Sequence, residues 1–253
     1  MASRSDAIFA YLLRLGDDRL VLGHRLSEWC GHAPILEEDI ALANIALDLI
    51  GQATLLLGLA GKAEGKGRDA DALAYLRDAI EYRNTLLVEL PKGDFAVTIV
   101  RQLFFSVFAL LQAEALQASS DRDLAGVAAK AVKEARYHVR HSADWVVKLG
   151  GGTEESHARA QHAVDDLWRY TGELFLADDI DSAAARAGVG VDPSTLESGW
   201  QTAMRDVLGR ASLTIPEGTY MQRGGREGRH TEHLGHMLAE MQILARSHPG
   251  ASW

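Results

Sequence analysis

One cysteine, Cys30, stands alone among 253 residues, which excludes an intrachain disulfide framework and fits a reducing compartment. Positive charge is short: 26 Lys plus Arg face 35 Asp plus Glu, a formal charge of -9. The overall field repels a phosphate backbone, so nucleic-acid binding is not expected. Met1 to Asp6 lack the long apolar stretch of a secretory signal, and the composition is far from that of a membrane-spanning chain, so the expected compartment is the cytoplasm. Alternating β-branched runs are nearly missing, which argues against a sheet. No glycine-rich dinucleotide fingerprint, phosphate-binding loop, nucleophile elbow or solenoid-length repeat is present.

What remains is Leu-, Ala- and Arg-rich sequence at helical spacing, with 47% hydrophobic residues, enough for one core and one domain over residues 1–253. A first helix is expected over Ser5–Cys30, closed by Gly31 and Pro34, and a second over Ile35–Ala60. The seam of the second reads Leu42, Ile45, Leu49, Leu56 and Leu59, with one polar slot at Gln52. Gly61–Asp71 reads as a connection, Ala72–Leu90 as a helix ending before Pro91, and Asp94 as the cap of a central helix over Phe95–Ala118. The next helix, Leu124–Leu149, has an inward face of Val127, Ala131, Ala135, His138, Ser142, Trp145 and Leu149. Helices over His157–Phe175, Asp192–Gly209 and Glu232–Arg246 complete the chain, the last two separated by a Gly/Arg-rich loop over Pro216–Arg229. The architecture expected is all-α: a four-helix bundle of ferritin-like type with additional C-terminal helices.

Such bundles become oxidation sites when two helices each give a Glu and two others each give Glu-x-x-His, the i, i+3 spacing pointing both groups inward. The second helix carries Leu49 and Gln52 at that spacing, neither able to bind iron as Glu and His would. In the fifth, His138 points inward, but its partner position is Ala135; Glu134 is rotated by about 100 degrees and is expected to leave the ligand position. Between Asp94 and Glu114 there is no acid at all. The literal Glu154-x-x-His157 follows three glycines without a matching motif and reads as chance. His138 reads as a hydrogen-bonded core histidine and Gln52 as a satisfied core amide. His230, His233 and His236 diverge around a helix and suit packing or capping better than zinc. Arg223, Arg226 and Arg229, interleaved with glycines, could grip a phosphate or a partner but read first as a solvated loop. Lys130, Lys133, Arg136 and Arg140 form a basic strip that reads as a solvated face or an acidic partner's contact.

Four stretches carry a resemblance: Leu13–Ala53 (LRLGDDRLVLGHRLSEWCGHAPILEEDIALANIALDLIGQA), Lys133–Ser142 (KEARYHVRHS), Leu167–Phe175 (LWRYTGELF) and His230–Gln242 (HTEHLGHMLAEMQ). Over essentially its whole length the chain resembles the structural C subunits of bacterial phenylacetyl-CoA epoxidases. The resemblance implies a ferritin-like fold and pairing with a catalytic A subunit that holds the di-iron centre. It also implies a wider complex with a B subunit and an NADPH-dependent reductase, epoxidising phenylacetyl-CoA with O2 in aerobic phenylacetate catabolism. It implies no cofactor and no catalytic residue in this chain, the iron-motif positions falling at Leu49, Gln52, Ala135 and His138. It further suggests helix ends near the partner's thioester substrate: Glu37, Glu38, Asp39 and Ile40, and Asp181, Ser182 and Ala183. A large apolar docking surface is expected on the first two helices, with an exposed Trp29 as anchor. The alternatives are an independent metal-dependent ferritin-like oxidase and a CoA-binding module using the arginine loop.

Overall fold

Every residue from Tyr11 to Gly23 is buried, the charged Arg14, Asp17, Asp18 and Arg19 included. This stretch lies in α1 (Arg4–Ser27) of the computed structural model, which describes residues 4–251. Met1, Ala2 and Ser3, which carry half of the signal-sequence expectation, lie outside the described residues, as do the last two residues of the single-domain reading of 1–253. α1 packs antiparallel on α2 (Leu36–Glu64): Ser5 Oγ donates to Ala63 O, and Gly16 and Gly23 lie against Leu57 and Ile50. A Cβ at Gly23 would come within 2.9 Å of Ile50 and 3.2 Å of Ala46 O, so glycine is what lets these two helices approach.

The second hairpin is α5 (Phe95–Leu116) and α6 (Arg122–Gly150), which meets the first along the seam between α2 and α6. Asp94 caps α5 by accepting from Val97 N at 2.9 Å, and Asp121 caps α6 through Asp123 N and Leu124 N. These four helices form the expected bundle, no strand occurs among the described residues, and the fold is all-helical and ferritin-like. α2 and α5 are both long and apolar enough to cross a membrane; α5 is almost wholly buried in the bundle, whereas half of α2 is open.

Around the bundle lie α3 (Ala70–Tyr75), α4 (Leu86–Glu89), α7 (Glu154–Trp168), α8 (Asp179–Arg186), α9 (Glu197–Arg210) and α10 (Glu232–Ser247). The expected Ala72–Leu90 helix is broken into α3, a 3-10 turn and α4, and the cause is charge on α1. Asp17 pairs with the Arg77 guanidinium and accepts from Arg83 N at 2.8 Å; Asp18 accepts from Thr85 N at 2.8 Å. Backbone donors that a helix would use internally are taken by these two carboxylates instead. The expected His157–Phe175 helix starts earlier, at Glu154, and stops at Trp168, followed by a 3-10 turn over Gly172–Phe175. The buried Glu173 in that turn accepts from Leu86 N and Gly224 N, both at 2.8 Å. α8 answers to no expectation; its eight residues are capped by Asp178.

Trp29 is not an exposed anchor. Its indole Nε1 donates to Thr98 Oγ1 at 2.9 Å and its ring meets Phe95 edge-on, so it staples the end of α1 to α5. On the other side, Trp200 of α9 donates to Phe104 O and stacks among Phe104, Trp168 and Phe175. Each such ring pair adds about 0.5–1.5 kcal/mol beyond its burial.

Candidate functional site at the bundle centre and on its outer face

The middle of a ferritin-like bundle is where facing helices would offer carboxylates and imidazoles to metal ions. Here the group at the centre is a guanidinium. Arg19 of α1 donates from Nε to Gln52 Oε1 at 2.9 Å, from Nη1 to Leu15 O at 2.9 Å and from Nη2 to Gln112 Oε1 at 3.2 Å. Gln52 passes the chain on, its Nε2 donating to Glu134 Oε2 at 2.8 Å. Glu134, expected to leave the ligand position, is half-buried and reaches Gln52 across the seam between α6 and α2. Leu49 and Ala135, at the other motif positions, are buried apolar side chains. Burial pulls the Arg19 pKa down and the neighbouring Asp18 pushes it back up. A guanidinium stays charged under such pressure.

Tested as a metal set, this interior does not fit. Two amides, a leucine and an alanine occupy the motif, a fixed cation sits between them, and no group of three or more His, Cys, Asp or Glu side chains is placed to share an ion among the described residues. His138 is buried, but its Nε2 meets Asp48 Oδ2 at 3.0 Å, on the rim of the α2/α6 seam. His141 Nε2 meets Glu38 Oε2 at 2.8 Å in the same seam. The Glu154/His157 pair is divided: His157 Nδ1 faces Gly150 O at 2.8 Å. His230 lies between Glu89 Oε2 (2.7 Å) and Tyr82 O (3.0 Å), His233 lends only its carbonyl to Arg25, and His236 is exposed.

The two helix-end segments do not come together. Asp39 accepts from Gly31 N at 2.7 Å, which places Glu37–Ile40 beside the C-terminal end of α1; Glu37 and Ile40 are exposed, Glu38 is held by His141. Asp181 is a buried partner of Arg14, at 2.9 Å, and Ser182 and Ala183 are half-buried beside it. From Arg14 to Ser27 the helix rises about 20 Å. Burial pushes the Asp181 carboxyl up, whereas Asp178, despite its own burial, is held well below the usual carboxylate range by the Arg14 guanidinium.

The arginine loop is not a solvated grip. Arg226 reaches inward to Asp18 Oδ2 at 2.8 Å and to Arg83 O at 2.7 Å, while Arg223 and Arg229 are exposed and Arg229 pairs with Glu227. The carboxylates of Asp18 and Glu173 draw the loop down onto the bundle, so the three guanidiniums diverge.

Sequence reasoning missed two features. Arg19 and Gln112 lie on α1 and α5, where a search for carboxylate and imidazole ligands passes over both; the signal was a charge in the middle of an enclosed apolar run. The other is the outer face of α2, where Leu36, Ile40, Leu47 and Leu55 are 71%, 53%, 66% and 43% exposed. Its signal was an apolar composition around the whole helix, since only Asp48 is charged between Ile40 and Gly61.

The family model described as "Phenylacetic acid catabolic protein" matches residues 1–253. The chain belongs to the phenylacetic acid catabolic protein family. Within that family it is similar to the C subunit of the 1,2-phenylacetyl-CoA epoxidase of Escherichia coli (strain K12), at 50% identity over 244 residues, covering 96% of this chain and 98% of the relative. The resemblance carried by the four stretches and the helical fold therefore agree with the match over the full length.

Proposed function

We propose that this protein is a non-catalytic structural subunit of a phenylacetyl-CoA epoxidase complex, pairing with and stabilising a catalytic A subunit. The observation that carries the reading is Arg19: a guanidinium bonded to Gln52 and Gln112 fills the place where an oxygenase of this fold would hold its ions. A relative that is itself part of an epoxidase supports the complex. The open apolar face of α2 supports a partner, because a monomer rarely leaves four large aliphatic side chains of one helix in water.

On this reading the di-iron centre and the chemistry with O2 belong to the catalytic partner, electrons come from NADPH through a reductase, and the assembly, with its B subunit, works in the cytoplasm. Glu37 and Ile40 are the members of the helix-end set open to a neighbour, and Asp181, Ser182 and Ala183 act through α8. The CoA-module alternative is weakened because Arg226, the middle of its three arginines, is committed to Asp18. The independent-oxidase alternative would need a ligand set that Leu49 and Ala135 cannot supply.

The test is to purify the chain alone and with the catalytic subunit. The free chain should carry no stoichiometric iron and consume no oxygen with phenylacetyl-CoA, and it should co-purify with the catalytic subunit and raise its activity. Stoichiometric iron in the free chain, or full activity of the catalytic subunit without it, would remove the reading.

A further inference from the structure

The bare face of α2 has a charged border. Tyr137 of α6 packs beside His141 and His138, whose Nε2 atoms meet Glu38 and Asp48 of α2. Lys130 lies 3.5 Å from Glu134, which is bonded to Gln52 of α2. The exposed edge of α6 therefore runs alongside the α2 stripe. On that edge Lys133 and Arg140 are exposed and have no carboxylate within ion-pair distance among the described residues; Arg140 rests over the Tyr137 ring at 5.6 Å. Their neighbours on the helix are matched, Lys130 by Glu134 and Arg136 by Glu114. In a chain of formal charge -9, two unmatched cations beside an uncharged apolar stripe form a local field of the opposite sign. At the end of the seam where α2 begins and α6 finishes the exposed charges are mixed: the acids Glu37 and Asp144, and Lys148 one turn beyond Asp144, resting over the Trp145 ring at 4.8 Å.

We propose that this face is an electrostatically keyed docking surface. Its occupant is the catalytic subunit, so the proposal rests on the pairing inferred above. The partner lays an apolar helix along Leu36, Ile40, Leu47 and Leu55 and sets carboxylates against Lys133 and Arg140. Gly51 and Gly58 have open space above them, so the partner's backbone can come close at those two positions. The aliphatic stripe supplies affinity, which is indifferent to direction along the helix. The cations at its border speed encounter and favour a partner that carries carboxylates there.

Binding of the purified chain to the catalytic subunit is measured in about 50 mM and about 500 mM salt, across which the screening length falls several-fold. The unaltered chain should lose about tenfold in affinity at the higher salt, whereas K133E/R140E should bind at least about tenfold more weakly at the lower salt and gain affinity as salt screens the new repulsion. Leu47→Asp should abolish the complex in both. Circular dichroism of each variant checks that the fold is kept, which exposed positions permit. Salt-independent binding of the unaltered chain, with K133E/R140E binding as well and Leu47→Asp not binding, overturns the electrostatic key and leaves the pairing intact. No binding by the unaltered chain at either salt overturns the pairing itself. A homodimer on this face that survives addition of the catalytic subunit also overturns the proposal.

Discussion

Arg19 shows how one side chain changes what a bundle centre can do. Its three hydrogen bonds engage Gln52, Gln112 and the Leu15 carbonyl, and the Gln52 amide nitrogen donates in turn to Glu134. The arrangement is closed, so breaking it at one point leaves partners stranded. Arg19→Met should lower stability by about 2–4 kcal/mol, since two buried amide oxygens lose their donor at about 1–3 kcal/mol each. Replacing all three polar groups, as Arg19→Met with Gln52→Leu and Gln112→Leu, should recover most of that loss. Thermal unfolding of the single and triple variants beside the unaltered chain checks both statements; at this chain length about 1 kcal/mol moves Tm by about 2–4 °C. Equal loss in the single and triple variants would show that the network has no such closure.

Charges on α1 also decide the shape of neighbouring elements. Asp17 takes Arg77 and the backbone of Arg83; Asp18 takes the backbone of Thr85 and the Arg226 guanidinium. Burial lowers the pKa of Arg226, but Asp18 outweighs it and the net direction is upward, as expected of a cation held by its counter-ion. Arg226→Ala would leave Asp18 as a buried carboxylate with only Thr85 as donor and should cost about 3–5 kcal/mol. Limited proteolysis should then cut first in the segment 216–230, which the pair ties down. Arg226→Lys should restore only part of the protection, because an ammonium cannot reach Asp18 and the Arg83 carbonyl with the same planar fork. These elements were the least legible in the sequence. The long helices show in local spacing, whereas the break at residues 76–85 is caused by carboxylates some 60 residues earlier.

At the scale of the whole molecule, one side of the bundle is finished and the other is not. α5 is enclosed and the aromatic group around Trp200 seals its flank, while α2 presents a stripe of aliphatic side chains to solvent. A row of large aliphatic side chains left open along one helix marks an interface. The free chain should bind a hydrophobic dye, and L47K/L55K should reduce that binding at least severalfold while Tm stays within about 1–2 °C, since exposed positions contribute little to stability. Dye binding unchanged in the variant would place the sticky surface elsewhere.

The four long helices, the cap at Asp94, and the loss of the metal motif at Leu49, Gln52 and Ala135 follow from the chain alone, because helical period and residue chemistry are local properties. The full-length resemblance was equally visible in its four stretches. Only the folded molecule decided that Trp29 is buried, that Arg226 points inward and that Arg19 fills the centre. Each of those outcomes depends on partners distant in sequence, and a spacing rule within one helix holds no information about which residue another helix will bring to meet it.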